Sequence, residues 1–230
     1  MRPFSQVLLR ASTRAPVTAT ASHFTLASRQ PRAPAAQTIS RSFMHTPRTM
    51  SSSENKDVGP LKIESTNIST ASGVELSSQQ QTLVGSVLDL FAGRPSLAKL
   101  QLWKDDGEFI DPLTIAKGRE QFAPQWYGLQ KAFSEIERLH HNVTSSGNPI
   151  EMDLKSRYVV KGIGKEQIIN SKVKIWTDEK GEKIVKVHDE WDGKLPESSI
   201  AQAFQRLNAN SVPLMVSVPK NAEEDAKRGN

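Results

Sequence analysis

The sequence predicts an α+β domain in which a strongly bent antiparallel sheet wraps around helices that precede it. Three observations carry this. Apolar residues recur at helical spacing from Leu83 to Phe91, period-two alternation governs the chain after Ile136, and strands do not alternate with helices as a doubly wound fold requires.

Leu83, Val84, Val87, Leu88 and Phe91 form the apolar stripe of a first helix, which Gly93 and Pro95 should end. Leu97, Leu100 and Leu102-Trp103 suggest a second, short helix. Asp105-Asp106-Gly107 then reads as a turn, with both aspartates as cap or turn residues, into a strand Glu108-Phe109-Ile110-Asp111 halted by Pro112. A third helix covers Arg119 to Glu135. Pro124 deep inside it would cost roughly 3 kcal/mol, so either the helix starts near Ala123 or a one-turn prelude breaks there. Four strands follow: Ile136 to Ser145, Ile150 to Lys161, Gln167 to Trp176 and Lys183 to Trp191. Turn chemistry at Ser146-Gly147-Asn148-Pro149, Gly162-Ile163-Gly164 and Asp178-Glu179-Lys180-Gly181 separates them. A last helix, Ser198 to Leu207, places Ile200, Ala203, Phe204 and Leu207 on one face.

Composition divides the chain differently. The first acidic residue is Glu54, and seven arginines precede it: Arg2, Arg10, Arg14, Arg29, Arg32, Arg41 and Arg48. This acid-free stretch, 1–53, rich in Ser, Thr and Ala, reads as a mitochondrial transit peptide directing the protein to the matrix, with cleavage expected after Phe43 in Arg41-Ser42-Phe43-Met44. Initiation at Met50 would omit the leader and give a cytosolic form. Residues 54–73 read as a polar linker, 74–219 as the domain and 220–230 as a disordered charged tail.

Of the +5 net charge, residues 1–53 contribute +7, which leaves −2 on the remainder. The basic character therefore belongs to the leader and excludes a nucleic-acid surface on the domain. Cysteine is absent, so disulfides, thiol nucleophiles and thiolate metal sites are excluded. No apolar run approaches the roughly 18–20 residues of a membrane span. No spacing assembles three metal ligands, and Gly162-Ile163-Gly164 lacks the third glycine of a dinucleotide loop, so neither metal nor cofactor is expected.

Four segments in order, Leu100 to Asp106, Phe109-Ile110-Asp111-Pro112, Lys117-Gly118-Arg119-Glu120 and the closing strand Val185 to Trp191, resemble the nuclear-transport-factor-2-like superfamily, specifically its SnoaL-like and ketosteroid-isomerase-like branch. The resemblance spans Gln81 to Leu195. It implies a cone-shaped sheet around a pocket, a homodimer, and either catalysis by isomerases, cyclases and dehydratases or non-catalytic binding. The carboxylate before the proline, here Asp111, matches the isomerases' general base. Their oxyanion donors have no match: the tyrosine position falls near Ser86 and the acid near Lys172, so steroid-type isomerisation is not expected.

Other candidates come from the residues themselves. An Asp before Pro also serves as a turn acceptor, the plainer reading of Asp111. Strand alternation puts His188 and Glu190 on one face, as a potential acid–base pair, and Val187, Asp189 and Trp191 on the other. His140 and His141 point to opposite sides, so one of them, His141, is a second candidate partner. Phe109, Trp126, Tyr127, Tyr158, Trp176 and Trp191 are placed to line a cavity, which implies an apolar or aromatic small molecule as ligand. Two functions follow: a non-catalytic ligand-binding or interaction module, or a cofactor-independent isomerase, cyclase or lyase with Asp111 as base. The sheet, expected to be apolar on both faces, predicts pairing of its outer face in a homodimer.

Overall fold

The computed structural model describes residues 60–193 and 212–228; the leader, its cleavage motif and the helix expected at 198–207 lie outside them. Helix α1 (Ser78–Phe91) begins with a capping box: Ser77 accepts from the Gln80 N–H, and the Gln80 side chain accepts from the Ser77 N–H. It buries Leu83, Val84, Val87, Leu88, Leu90 and Phe91 and stops at Gly93, whose φ of 71° suits glycine and whose missing Cβ leaves room for Ile136.

Helix α2 (Leu97–Leu100) is shorter than the sequence suggests, because Trp103 opens a strand instead. Strand β1 (Trp103–Asp111) runs straight through Asp105-Asp106-Gly107 with a register shift, so the expected turn is a bulge within a strand. Gly107 permits it, since a Cβ there would sit 3.0 Å from the Lys104 carbonyl, and Asp105 pairs with Arg119 at 2.7 Å rather than capping a helix. Pro112 does not end the pairing. It occupies a tight hairpin into β2 (Thr114–Lys117), with Asp111 opposite Thr114 and accepting the Leu113 N–H at 2.7 Å.

Helix α3 (Arg119–Ala132) runs through Pro124 unbroken, with Phe122, Trp126, Tyr127 and Leu129 all buried. Packing outweighs the lost bond: Trp103 stacks on Phe122 at 4.9 Å, and Trp126 meets Phe109 at 4.6 Å and Phe91 at 5.2 Å, contacts that add about 0.5–1.5 kcal/mol each beyond burial. The chain passes directly into β3 (Phe133–Ser145), then β4 (Ile150–Val160), β5 (Glu166–Thr177) and β6 (Ile184–Trp191).

These last four strands form the expected antiparallel meander. The whole sheet has six strands in the order β2-β1-β6-β5-β4-β3, because β1 joins the far edge of the meander parallel to β6. The sheet is thus mixed, and its curved inner face holds α1 and α3. Along β4 the inner face carries Ile150, Met152, Leu154, Ser156, Tyr158 and Val160. The outer face is not apolar as expected. Arg157 there pairs with Glu135, Glu137 and Glu166, and Lys174 with Glu190, leaving Ile115, Leu139 and Ile168 as exposed apolar residues.

Both stretches flanking the domain are more ordered than their polarity suggests. In the presumed linker, Ser69 and Ala71 bond to Val143 on β3, while Glu64 and Ser65 bond to the Asp89 carboxylate of α1. In the presumed charged tail, beyond α4 (Val212–Met215), residues Ala222–Ala226 form α5, whose buried Asp225 accepts from the Tyr127 hydroxyl at 2.6 Å and the Leu97 N–H at 2.9 Å. In each case a buried polar group draws a hydrophilic segment inward.

Candidate functional site

A small cavity, with about 30 Å³ open to the centre of a water molecule, lies between the inner sheet face and helices α1 and α3. Its walls include Phe91 from α1, Trp126 and Leu129 from α3, Phe109 from β1, Tyr158 from β4 and Trp191 from β6. Among the described residues, no Lys, Arg or His lines it.

Two carboxyl groups reach this space from neighbouring strands. The parallel register sets Phe109 beside Val187 and ends with Ile110 beside His188, and the next residue of each strand, Asp111 and Asp189, lines the cavity. Burial pushes the Asp111 carboxyl up to about 6, against the Leu113 and Thr114 backbone N–H groups and the Thr114 hydroxyl. Asp189, only 5% exposed, is pushed up to about 7, first by burial and further by the nearby Asp111, while Trp191 and Ser171 oppose the shift. Its Oδ2 accepts the Trp191 indole N–H at 2.7 Å, whereas its Oδ1 is buried without a hydrogen-bond partner. Burial, with these two carboxyls nearby, also raises the Tyr158 phenol.

The expected aromatic lining divides. Phe109, Trp126, Tyr158 and Trp191 line the cavity. Tyr127, on the opposite side of α3, turns to Asp225 instead, and Trp176 lies half-buried under the Lys186 ammonium, 4.8 Å from its ring. Neither histidine joins Asp111. His188 is on the outer face, with its Nδ1 3.3 Å from Glu190 and Glu190 itself held low chiefly by Lys174. His141 accepts the Ser69 N–H through Nε2 at 3.1 Å, and its proton affinity is lowered first by burial and then by Arg138.

The residue missed was Asp189. The signal was available, because alternation had put this charged side chain on the same face as Val187 and Trp191. A carboxylate on an otherwise apolar inward face marks either a paired structural group or a site. Among the described residues no cluster of three or more potential metal ligands forms, and no helix is long and apolar enough to cross a membrane.

No family model matches the chain, and neither does any curated protein. Among solved structures it is similar to an NTF2-like protein from Anabaena variabilis, at 14% identity and a TM-score of 0.44 over 54% of this chain and 97% of the other. It is also similar to a protein of ketosteroid isomerase-like fold from Catenulispora acidiphila, solved with trimethylamine, at 18% identity and a TM-score of 0.41 over 54% and 94%. An NTF2-like protein from Exiguobacterium is similar at 15% identity and a TM-score of 0.41 over 49% and 99%.

Proposed function

We propose that the domain is a small-ligand-binding module whose occupant, a compact apolar or aromatic molecule with one polar group, enters the cavity between the sheet and α3. The supporting observation is the combination of aromatic walls with two carboxyl groups that face the space and have no cation beside them among the described residues. Such a cavity is costly to keep empty of purpose, since an unpartnered buried oxygen costs about 1–3 kcal/mol. The leader's composition supports the mitochondrial matrix as the place of action.

Titration of the full-length protein with small aromatic fragments, followed by tryptophan fluorescence, tests this reading. Trp126 and Trp191 should report saturable binding, and Ile169→Trp, which fills the cavity from β5, should abolish it. Binding that survives the filled cavity would move the site elsewhere.

A second reading is favoured by the two raised acids. Near neutrality one holds its proton while its neighbour has released one, which places an acid and a base in one cavity and suits proton transfer by an isomerase, cyclase or lyase with Asp111 as base. The Leu113 N–H that ties down one Asp111 oxygen and the distance of both histidines favour binding. Solvent-deuterium incorporation into bound carbonyl compounds, abolished in Asp111→Asn, would shift the choice to catalysis.

A further inference from the structure

Taking the cavity as a binding site, we infer that its ligand is an organic cation, a protonated or quaternary amine with an apolar body. Asp111 and Asp189 stand side by side on adjacent strands and face the same enclosed space. Buried acids in folded proteins are ordinarily matched by a cation or by a full set of hydrogen-bond donors. Asp189 has no cation beside it among the described residues, and the donors it does have, the Trp191 indole on Oδ2 and the nearby Ser171 side chain, stop short of a full set, with Oδ1 left without a hydrogen bond in the described structure. The other titratable group facing the pair is the Tyr158 phenol from β4; α1, α3 and β5 contribute none to the lining. The missing charge is therefore not supplied by any described side chain.

The rest of the wall suits the same chemistry. Phe109, Trp126, Tyr158 and Trp191 present aromatic faces and edges around the acids, and a cation with a weakly hydrated, methylated head gains from such faces as well as from the carboxylates. The Trp126 indole N–H is also buried without a partner, which leaves a donor for one acceptor atom on the same molecule. An anionic ligand would meet the repulsion of whichever acid is ionised.

The test uses the full-length protein and a matched pair of probes: choline, with its fixed positive charge, and 3,3-dimethylbutan-1-ol, its uncharged isostere. Calorimetry across pH 5–8 should show choline bound at least tenfold tighter than the isostere at pH 8. The preference should shrink about tenfold per pH unit once the acids protonate, because their protons must leave for the cation to pair. Asp189→Asn should cut the preference at pH 8 several-fold, to what Asp111 alone supports, and leave the weak binding of the isostere unchanged. If that variant does not fold, the pH dependence of the wild-type preference decides alone. Equal or tighter binding of the isostere at every pH overturns the charge assignment while leaving the cavity reading intact. Failure of both probes to bind also overturns it, and the fragment titration then judges the cavity reading separately.

Discussion

Asp89 and Asp189 are both buried aspartates in the same domain, and they are treated in opposite ways. Asp89, 0% exposed on α1, accepts the Glu64 and Ser65 N–H groups and the Ser65 hydroxyl, and it pairs with Arg94 at 2.7 Å and with Lys99 at 3.2 Å. Burial drives its pKa up, but these partners outweigh it and hold the carboxyl below its ordinary value. Asp189 has only the Trp191 indole and the Ser171 side chain to set against its burial, and burial wins. The first arrangement locks a segment to a helix. The second leaves an interaction open for something that is not part of the chain.

The largest effect should come from breaking the satisfied cluster. Asp89→Ala strands Lys99, 1% exposed, without its anion, and is expected to cost about 3–5 kcal/mol in urea denaturation at pH 7. Its pH dependence follows from a depressed acid: the stability Asp89 supplies is present above the unfolded value of 3.8 and disappears as pH falls through the lower folded value.

Asp189→Asn should act with the opposite sign. A raised acid carries no penalty below its unfolded value of 3.8, and the penalty grows until pH passes the folded value of about 7. Asparagine keeps the acceptor for Trp191 and removes the charge, so the variant should gain about 2–4 kcal/mol at pH 8 and nothing near pH 3.5. Melts at the two pH values read this directly. A variant less stable at both would mean that Asp189 has structural partners after all.

Two smaller changes sharpen the contrast. Tyr127→Phe deprives the buried Asp225 of one donor while the Leu97 N–H remains, and should cost about 1–2 kcal/mol in denaturant midpoint without touching ligand binding. His188→Ala, on the outer face, should change stability by no more than about 0.5 kcal/mol and leave cavity occupancy as it was, since its contact with Glu190 is a solvent-exposed pair.

Periodicity made most of the fold legible. The stripe from Leu83 to Phe91, the four strands after Phe133 and their turns all appear close to where spacing puts them, because local side-chain patterns decide them. Pairing between distant segments is not local, and there the reading fell short. Nothing between Trp103 and Lys117 announces that β1 turns back through Pro112 into β2, or that β1 lies parallel to β6. The acid pair is a product of that pairing, so Asp111 was visible as a candidate through its motif and Asp189 was not. Alternation already set His188 opposite Val185, Val187 and Trp191, and it does lie on the outer face; its residue type alone kept it a candidate. Polar composition likewise concealed that Ser65 and Asp225 are buried.

The parallel pairing of β1 with β6 also dictates when the cavity can exist. As the chain emerges during synthesis, α1, α3 and the early meander have contacts to make, but Asp111 stays in water until residues 184–191 arrive beside it. The step that closes the sheet is thus the one that desolvates both acids. An organic cation present at that moment would lower the cost of closure, so the occupant of the finished cavity would also assist the last stage of its assembly.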